Sequence, residues 1–201
     1  MRIAVTQRVD LVQQYSERRD ALDQSWPLLL QQLGFLPVIV PNLEGVARRL
    51  IAELGVEGVL LTGGNSPVSY GGDAPERDAV EHFLLDHAQQ NQLPVLGICR
   101  GMQILLEHFG SKLIPVSNHV RTNHEINLFG TSRSVNSYHN LGLIDLPDCF
   151  QVLSRANDST IEAARHATYP FMGIMWHPER MHPFDAKDLQ LIDSHFRGRL
   201  K

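Results

Sequence analysis

The stretch Leu93–Phe109, LPVLGICRGMQILLEHF, constrains this chain more than any other. An apolar run from Pro94 to Ile98 is broken at Gly97-Ile98-Cys99-Arg100-Gly101, and an amphipathic helical pattern sets in at Met102. Strand, tight turn and helix in so few residues lift one side chain onto the carboxyl edge of a sheet, as the serine elbow of hydrolases does. Glycines two residues before and two residues after Cys99 relieve the crowding that such a turn creates. Cys99 then stands at a helix N-terminus, where free N–H groups and the helix dipole favour a thiolate. The stretch therefore predicts a cysteine nucleophile on an α/β sheet.

The rest of the chain reads as further strands and helices in alternation. Strands are expected at Arg2–Thr6, Leu36–Val40, Gly58–Leu61 and Phe171–Trp176. A polar loop is expected over Gln7–Ser16, and helices over Glu17–Leu33 (with Pro27 as a kink or break), Leu43–Leu54 with Gly55 as C-cap, Pro75–Gln90 and Asp185–Arg197. Such alternation implies right-handed crossovers and a mainly parallel sheet with helices on both faces. After Gly110 short β-like pieces take over, including a hairpin around Asn157-Asp158. They read as a small antiparallel extension of one sheet. At 201 residues the chain is expected to form a single domain, 1–201.

A net charge of −4 gives no general attraction to nucleic acid or to an anionic membrane, so neither is an expected partner. No segment approaches the apolar length of a membrane span, and MRIAVTQRVD lacks the apolar core of a secretory signal. Two cysteines, Cys99 and Cys149, make no disulfide framework, and a reducing cytoplasm is the expected setting. The ten histidines are scattered. His119 and His124 stand four apart, but their segment reads as β rather than helical and no further Cys or Asp completes a set, so neither metal nor cofactor is expected. Cys149 reads as a buried or half-buried apolar residue, and Trp26 and Trp176 as core.

A cysteine nucleophile needs a base held by a third group. His177 and Glu179 follow the buried strand FMGIMW, so they should emerge at the same sheet edge as Cys99. Two residues apart on extended chain, they share a face, and a carboxylate there would set the imidazole tautomer and support an imidazolium. Acyl chemistry also needs N–H donors at the developing oxyanion. The amide of Arg100 is one by the geometry of the elbow, and Gly63-Gly64, ending the Gly58–Leu61 strand, offers a second at Gly64.

G-I-C-R-G-M-Q, a distant W-H-P-E and L-T-G-G-N, in that family's order and over essentially the whole chain, resemble the class I glutamine amidotransferases. The resemblance implies a flavodoxin-like three-layer sandwich and a Cys–His–Glu triad that opens a γ-glutamyl amide through a thioester. On these motifs Cys99, His177 and Glu179 take the triad roles and Gln103 contacts the glutamyl group. Ser137-Tyr138-His139 matches the loop that holds the substrate's α-carboxylate. Gly63 and Asn65 lie on the loop of the oxyanion glycines, with Asn65 the candidate for the α-amino or α-carboxylate group. I-x-V-T-Q-R, N-H-V, V-N-S-Y-H-N, N-D-S-T-I-E-A and G-I-M-W-H-P-E-R further resemble the γ-glutamyl-CDP-amidate hydrolases of capsule phosphoramidate biosynthesis.

For such a substrate, cations should line the mouth. Arg8, Arg19, Arg100, Arg121 and His139 are available, and Arg8 and Arg19 are the candidate phosphate contacts. Alternatives are another γ-glutamyl hydrolase, of the γ-glutamyl-γ-aminobutyrate type, or a glutaminase subunit supplying ammonia to a partner synthase. The expected partners are thus a small γ-glutamyl substrate, a second copy of the chain in a homodimer and, under the last alternative, a synthase.

Overall fold

Short apolar runs separated by amphipathic stretches assemble into one seven-stranded sheet in a computed structural model, which describes residues 1–200. In chain order the strands are β1 (Arg2–Val5), β2 (Arg8–Val12), β3 (Glu17–Ala21), β4 (Leu36–Ile39), β5 (Gly58–Leu61), β6 (Val95–Ile98), β7 (Ile114–Pro115), β8 (Val120–Leu128), β9 (Thr131–Tyr138), β10 (Leu141–Gly142), β11 (Phe150–Arg155), β12 (Ile161–His166) and β13 (Phe171–Ile174). The helices are α1 (Ser25–Gln32), α2 (Glu44–Leu54), α3 (Pro75–Asn91), α4 (Arg100–His108) and α5 (Ala186–Phe196).

The large sheet runs β11-β12-β13-β6-β5-β1-β4. From β4 to β13 every pairing is parallel, and β12 and β11 add an antiparallel edge. Parallel strands covered on both faces need unbroken apolar runs. β5, β6 and β13 have them and are buried at every position. One face packs on α2, α3 and α4 through Ile51, Leu84 and Leu105, the other on α1 and α5 through Leu29, Ile192 and Phe196. The result is the flavodoxin-like three-layer α/β sandwich expected. No helix among the described residues is long and apolar enough to cross a membrane.

Four expectations are corrected. Gln7–Ser16 is not a loop and Glu17–Leu33 is not one helix: β2 and β3 form an antiparallel ribbon, and α1 starts only at Ser25. The apolar periodicity behind the helix begins at Leu22, whereas Glu17–Ala21 (ERRDA) has no apolar face to dock and pairs with a neighbouring strand instead. Pro27 falls in the first turn of α1, where proline is tolerated, so it neither kinks nor breaks the helix. The β pieces after Gly110 do not all extend the sheet: β8 and β9 pair only with each other, as do β7 and β10.

Candidate active site

Three adjacent strands, β5, β6 and β13, end at one edge, and each carries one part of the site just beyond its last residue. Cys99 follows β6 and caps α4 with φ 51° and ψ −106°, backbone that a residue with a Cβ seldom adopts. The conformation persists because its surroundings over-determine it. The Cys99 N–H donates to Ile174 at 2.8 Å, and its carbonyl accepts from Gln103 N at 3.0 Å. A Cβ on Gly97 would lie 2.5 Å from the Gly101 carbonyl oxygen, and one on Gly101 would run into the Leu61 carbonyl. Only glycines let α4 turn back this tightly beside β5 and β6. Arg100 opens α4, so its N–H belongs to the turn without intrahelical acceptors.

His177 follows β13, and its Nδ1 lies 2.6 Å from Glu179 Oε1, both side chains being buried. Asn136 of β9 holds the histidine by its backbone, accepting from His177 N at 2.8 Å and donating to His177 O at 2.9 Å. Tyr138 stands edge-on to the imidazole, with ring centres 5.6 Å apart, and its other neighbour is the Arg180 guanidinium, 4.1 Å from its ring centre. Burial alone would lower the His177 pKa. Hydrogen bonds to Cys99 and Glu179 and their charges outweigh it and raise the group to about 9. The imidazolium is thus the favoured form at neutral pH, facing the sulfur on one side and a carboxylate on the other.

Gly63 and Gly64 follow β5 beneath that ring. A Cβ on Gly63 would sit 2.7 Å from His177 Cε1, so only glycine allows the loop and the imidazole to touch. A clamp from α3 that sequence reasoning misses fixes this loop. Arg77 donates to the Thr62 carbonyl at 2.6 Å and the Gly64 carbonyl at 3.0 Å, and pairs with Glu81 at 2.9 Å, both side chains being fully buried. Burial pulls Arg77 down to about 9, against the opposing pull of Asp78, which still leaves it charged at pH 7. The Arg100 side chain pairs with Asp78 and Glu81. The i, i+4 spacing of Arg77 and Glu81 is visible in the sequence, but nothing local says that such a pair turns inward.

A cavity of about 210 Å³ opens beside the glycine loop, lined among others by Arg8, Trp26, Gly63, Gly64, His177 and Arg180. Of the cations expected at the mouth, Arg8 is there. Arg19 does not line it and pairs with Glu17 on the exposed ribbon. The Arg100 guanidinium is buried in the clamp rather than solvated at the mouth. Arg180, not singled out from the sequence, supplies the second cation.

The Asn65 side chain is also committed elsewhere: its oxygen accepts from Val9 N and its nitrogen donates to Val9 O, each at 2.9 Å, tying β2 to the loop. Gln103 is buried on α4 and donates to the Leu141 carbonyl at 2.9 Å. Ser137 is buried and donates to the His119 carbonyl at 2.7 Å. The His139 ring turns to His119, Glu162 and the Leu141 carbonyl, so it is not a cation at the mouth. His119, His124, His139 and Glu162 lie close enough together to hold a metal ion, a grouping invisible from the His119–His124 spacing alone. Cys149 is half-buried, and both cysteines are free.

A cysteine on a strained elbow, a buried histidine–carboxylate pair and a glycine loop at one edge of a flavodoxin-like sheet define a class of protein. Residues 23–191 match the family model for glutamine amidotransferase class-I, and the chain belongs to that family. Within it, the chain is 32% identical over 186 residues to the γ-glutamyl-CDP-amidate hydrolase of Campylobacter jejuni, covering 90% of each protein. It is 28% identical over 172 residues to the glutamine-hydrolysing GMP synthase component of Thermoplasma acidophilum, covering 80% of each. A glutamine amidotransferase crystal structure from Thermotoga maritima superposes with a TM-score of 0.69 at 15% identity, over 98% of this chain and 84% of that one, a likeness of fold.

Proposed function

We propose that the whole chain, 1–201, acts as a cysteine-dependent hydrolase of γ-glutamyl amides, with γ-glutamyl-CDP-amidate as its substrate. The observation that carries the chemistry is a buried His177 that Glu179 holds at 2.6 Å, at the sheet edge where Cys99 caps α4 on its strained elbow, beside Gly63-Gly64. The cycle starts from the pair in which His177 already holds the Cys99 proton as an imidazolium, and the thiolate attacks the γ-carbonyl carbon. The amides of Gly64 and Arg100 receive the oxyanion. As the C–N bond breaks, the His177 imidazolium gives its proton to the leaving nitrogen. Water then attacks the thioester, giving its proton to His177, and glutamate leaves with the thiolate–imidazolium pair restored. Gln103 and the backbone of Ser137–Tyr138 hold the glutamyl group.

The substrate assignment rests on the likeness to the Campylobacter jejuni hydrolase and on Arg8 and Arg180, two cations at the cavity where a phosphoramidate leaving group would lie. Two free cysteines suit a reducing cytoplasm. The test is incubation of purified protein with γ-glutamyl-CDP-amidate, glutamine and γ-glutamyl-γ-aminobutyrate in parallel. Glutamate and cytidine diphosphoramidate released fastest from the first is the expected result. Equal or greater release from either of the others overturns the substrate, and no release from any overturns the reaction.

The likeness to the Thermoplasma acidophilum GMP synthase component favours a second reading, in which the chain supplies ammonia to a synthase. That reading requires glutamine hydrolysis that rises when the synthase is added.

A further inference from the structure

Beside the catalytic edge, three histidines and a glutamate converge from three parts of the chain. His119 precedes β8, His124 lies within it, His139 follows β9, and Glu162 comes from β12 of the large sheet. Their ligand atoms lie within 4.8 Å of one another. His119 Nδ1 is 3.2 Å from His139 Nε2, and each is 3.4 Å from Glu162 Oε1. A tetrahedral zinc ion with bonds of about 2.0–2.1 Å has ligand-to-ligand edges of about 3.3–3.4 Å, the spacing these three atoms already have.

The outward sides of the rings settle which way their lone pairs face. His139 Nδ1 lies 3.0 Å from the Leu141 carbonyl, which can only accept, so that nitrogen carries the hydrogen. His119 Nε2 lies 2.7 Å from Asp158 Oδ2 and donates to it. Both are the outer contacts that metal-bound histidines make, to a carbonyl and to a carboxylate. In the neutral rings Nδ1 of His119 and Nε2 of His139 then present bare lone pairs to each other and to a carboxylate. Glu162 has no exposed surface, yet neither of its oxygens has a hydrogen-bond partner, and neither does the buried Nε2 of His124. Buried acceptors aimed at one another without a donor are costly unless a cation sits between them.

We propose that His119, His124, His139 and Glu162 form a structural zinc site that clamps the β8–β9 hairpin to β12. Three imidazoles and one carboxylate fill four positions, which leaves none open for catalysis and suits zinc among the divalent ions. The clamp has a target: Asn136 near the end of β9 holds the His177 backbone, and His139, the residue just after β9, lies in the zinc site. Zinc thereby fixes the strand on which the catalytic histidine leans. This holds whatever group leaves the γ-glutamyl amide.

The test uses untagged protein purified without chelator or metal resin. Elemental analysis is expected to find about one zinc per chain, with Cys99→Ser retaining it and Glu162→Gln and His124→Ala falling below about 0.2. Stripping with dipicolinate should lower the Tm, and zinc buffered at nanomolar free concentration should restore it. Should the variants fail to fold, the wild-type chain still decides. Cobalt(II) added to stripped protein should give the intense visible bands of a tetrahedral centre. Crystals should show an anomalous peak at the zinc edge between His119, His139 and Glu162. Less than about 0.1 zinc per chain, with no uptake from the buffer and no anomalous peak, overturns the proposal and leaves the cluster held by protonated imidazoles.

Discussion

His177–Glu179 and the histidine cluster around Glu162 use the same functional groups and are built in opposite ways. The first joins residues two apart on one segment, at 2.6 Å, and turns one ring nitrogen to its carboxylate and the other side of the ring to Cys99. The second gathers four residues spread over positions 119–162, whose inward atoms face one another with no donor between them. In the first a proton can sit on every contact, so the imidazole is free to give and take one. In the second the geometry asks for an ion that stays. The comparison teaches that an imidazole–carboxylate pair becomes a base or a ligand according to what faces its second nitrogen.

The largest effect that can break this contrast is Cys99→Ala. Glutamate release is expected to fall by more than about 1,000-fold, with the Tm and zinc content unchanged. Loss of zinc together with activity would mean that the two corners are one site. Glu179→Gln comes next. It should lower kcat/KM by roughly 100- to 10,000-fold, by leaving the imidazole without its orienting acceptor. In the wild type, deprotonation of the imidazolium at about pH 9 removes the acid for the leaving nitrogen, so the basic limb of the rate profile is expected there. In Glu179→Gln that limb should move to lower pH, and an unmoved limb would assign it to another group. The raised pKa also acts on folding. His177 stabilises the native state fully below its ordinary value of about 6.5, and that contribution fades as pH rises through about 9.

Arg77→Met tests the clamp under the glycine loop. Removing one partner of a buried ion pair costs about 3 kcal/mol or more, and the Thr62 and Gly64 carbonyls lose their donor as well. Urea unfolding should register the loss. The remaining folded fraction should show a lower kcat at similar KM, because the proposed mechanism uses the Gly64 amide in the transition state; an unchanged kcat would make Arg77 purely structural.

The smallest effect at neutral pH belongs to His195, fully packed on the sheet and donating from Nε2 to the Val95 carbonyl at 2.8 Å. Burial lowers its pKa to about 4. The neutral ring's contribution is therefore present above about 6.5 and lost as pH falls through about 4. The wild type should lose Tm over that interval, and His195→Gln, which keeps a donor without a titratable ring, should lose less. Equal acid sensitivity would place the acid-labile group elsewhere.

How much of this is legible in the sequence depends on the range of the interactions. The elbow is readable because Gly97, Cys99 and Gly101 state a local backbone requirement, and the sheet because its central strands β5, β6 and β13 are unbroken apolar runs. His177 and Glu179 are readable because they lie two residues apart beyond such a run. The β2–β3 ribbon misleads: ERRDA carries no periodicity, and its pairing depends on a strand outside it. Arg77, Asn136 and Arg180 escape notice, since an inward-turned arginine and a strand asparagine look like surface residues until their partners arrive from other elements. Arg19 and the Arg100 side chain are expected at the mouth for the same reason, and the fold spends them on Glu17, Asp78 and Glu81.

The sequence by itself determined the α/β class, the tight turn at Cys99 and the histidine–carboxylate pair, because each is encoded within one strand or turn and its own periodicity. Tertiary structure alone decided which cations reach the cavity, what braces the glycine loop and how His119, His124, His139 and Glu162 meet. Those depend on strand order and on the packing of the β8–β9 hairpin, which bring together atoms that no local pattern relates.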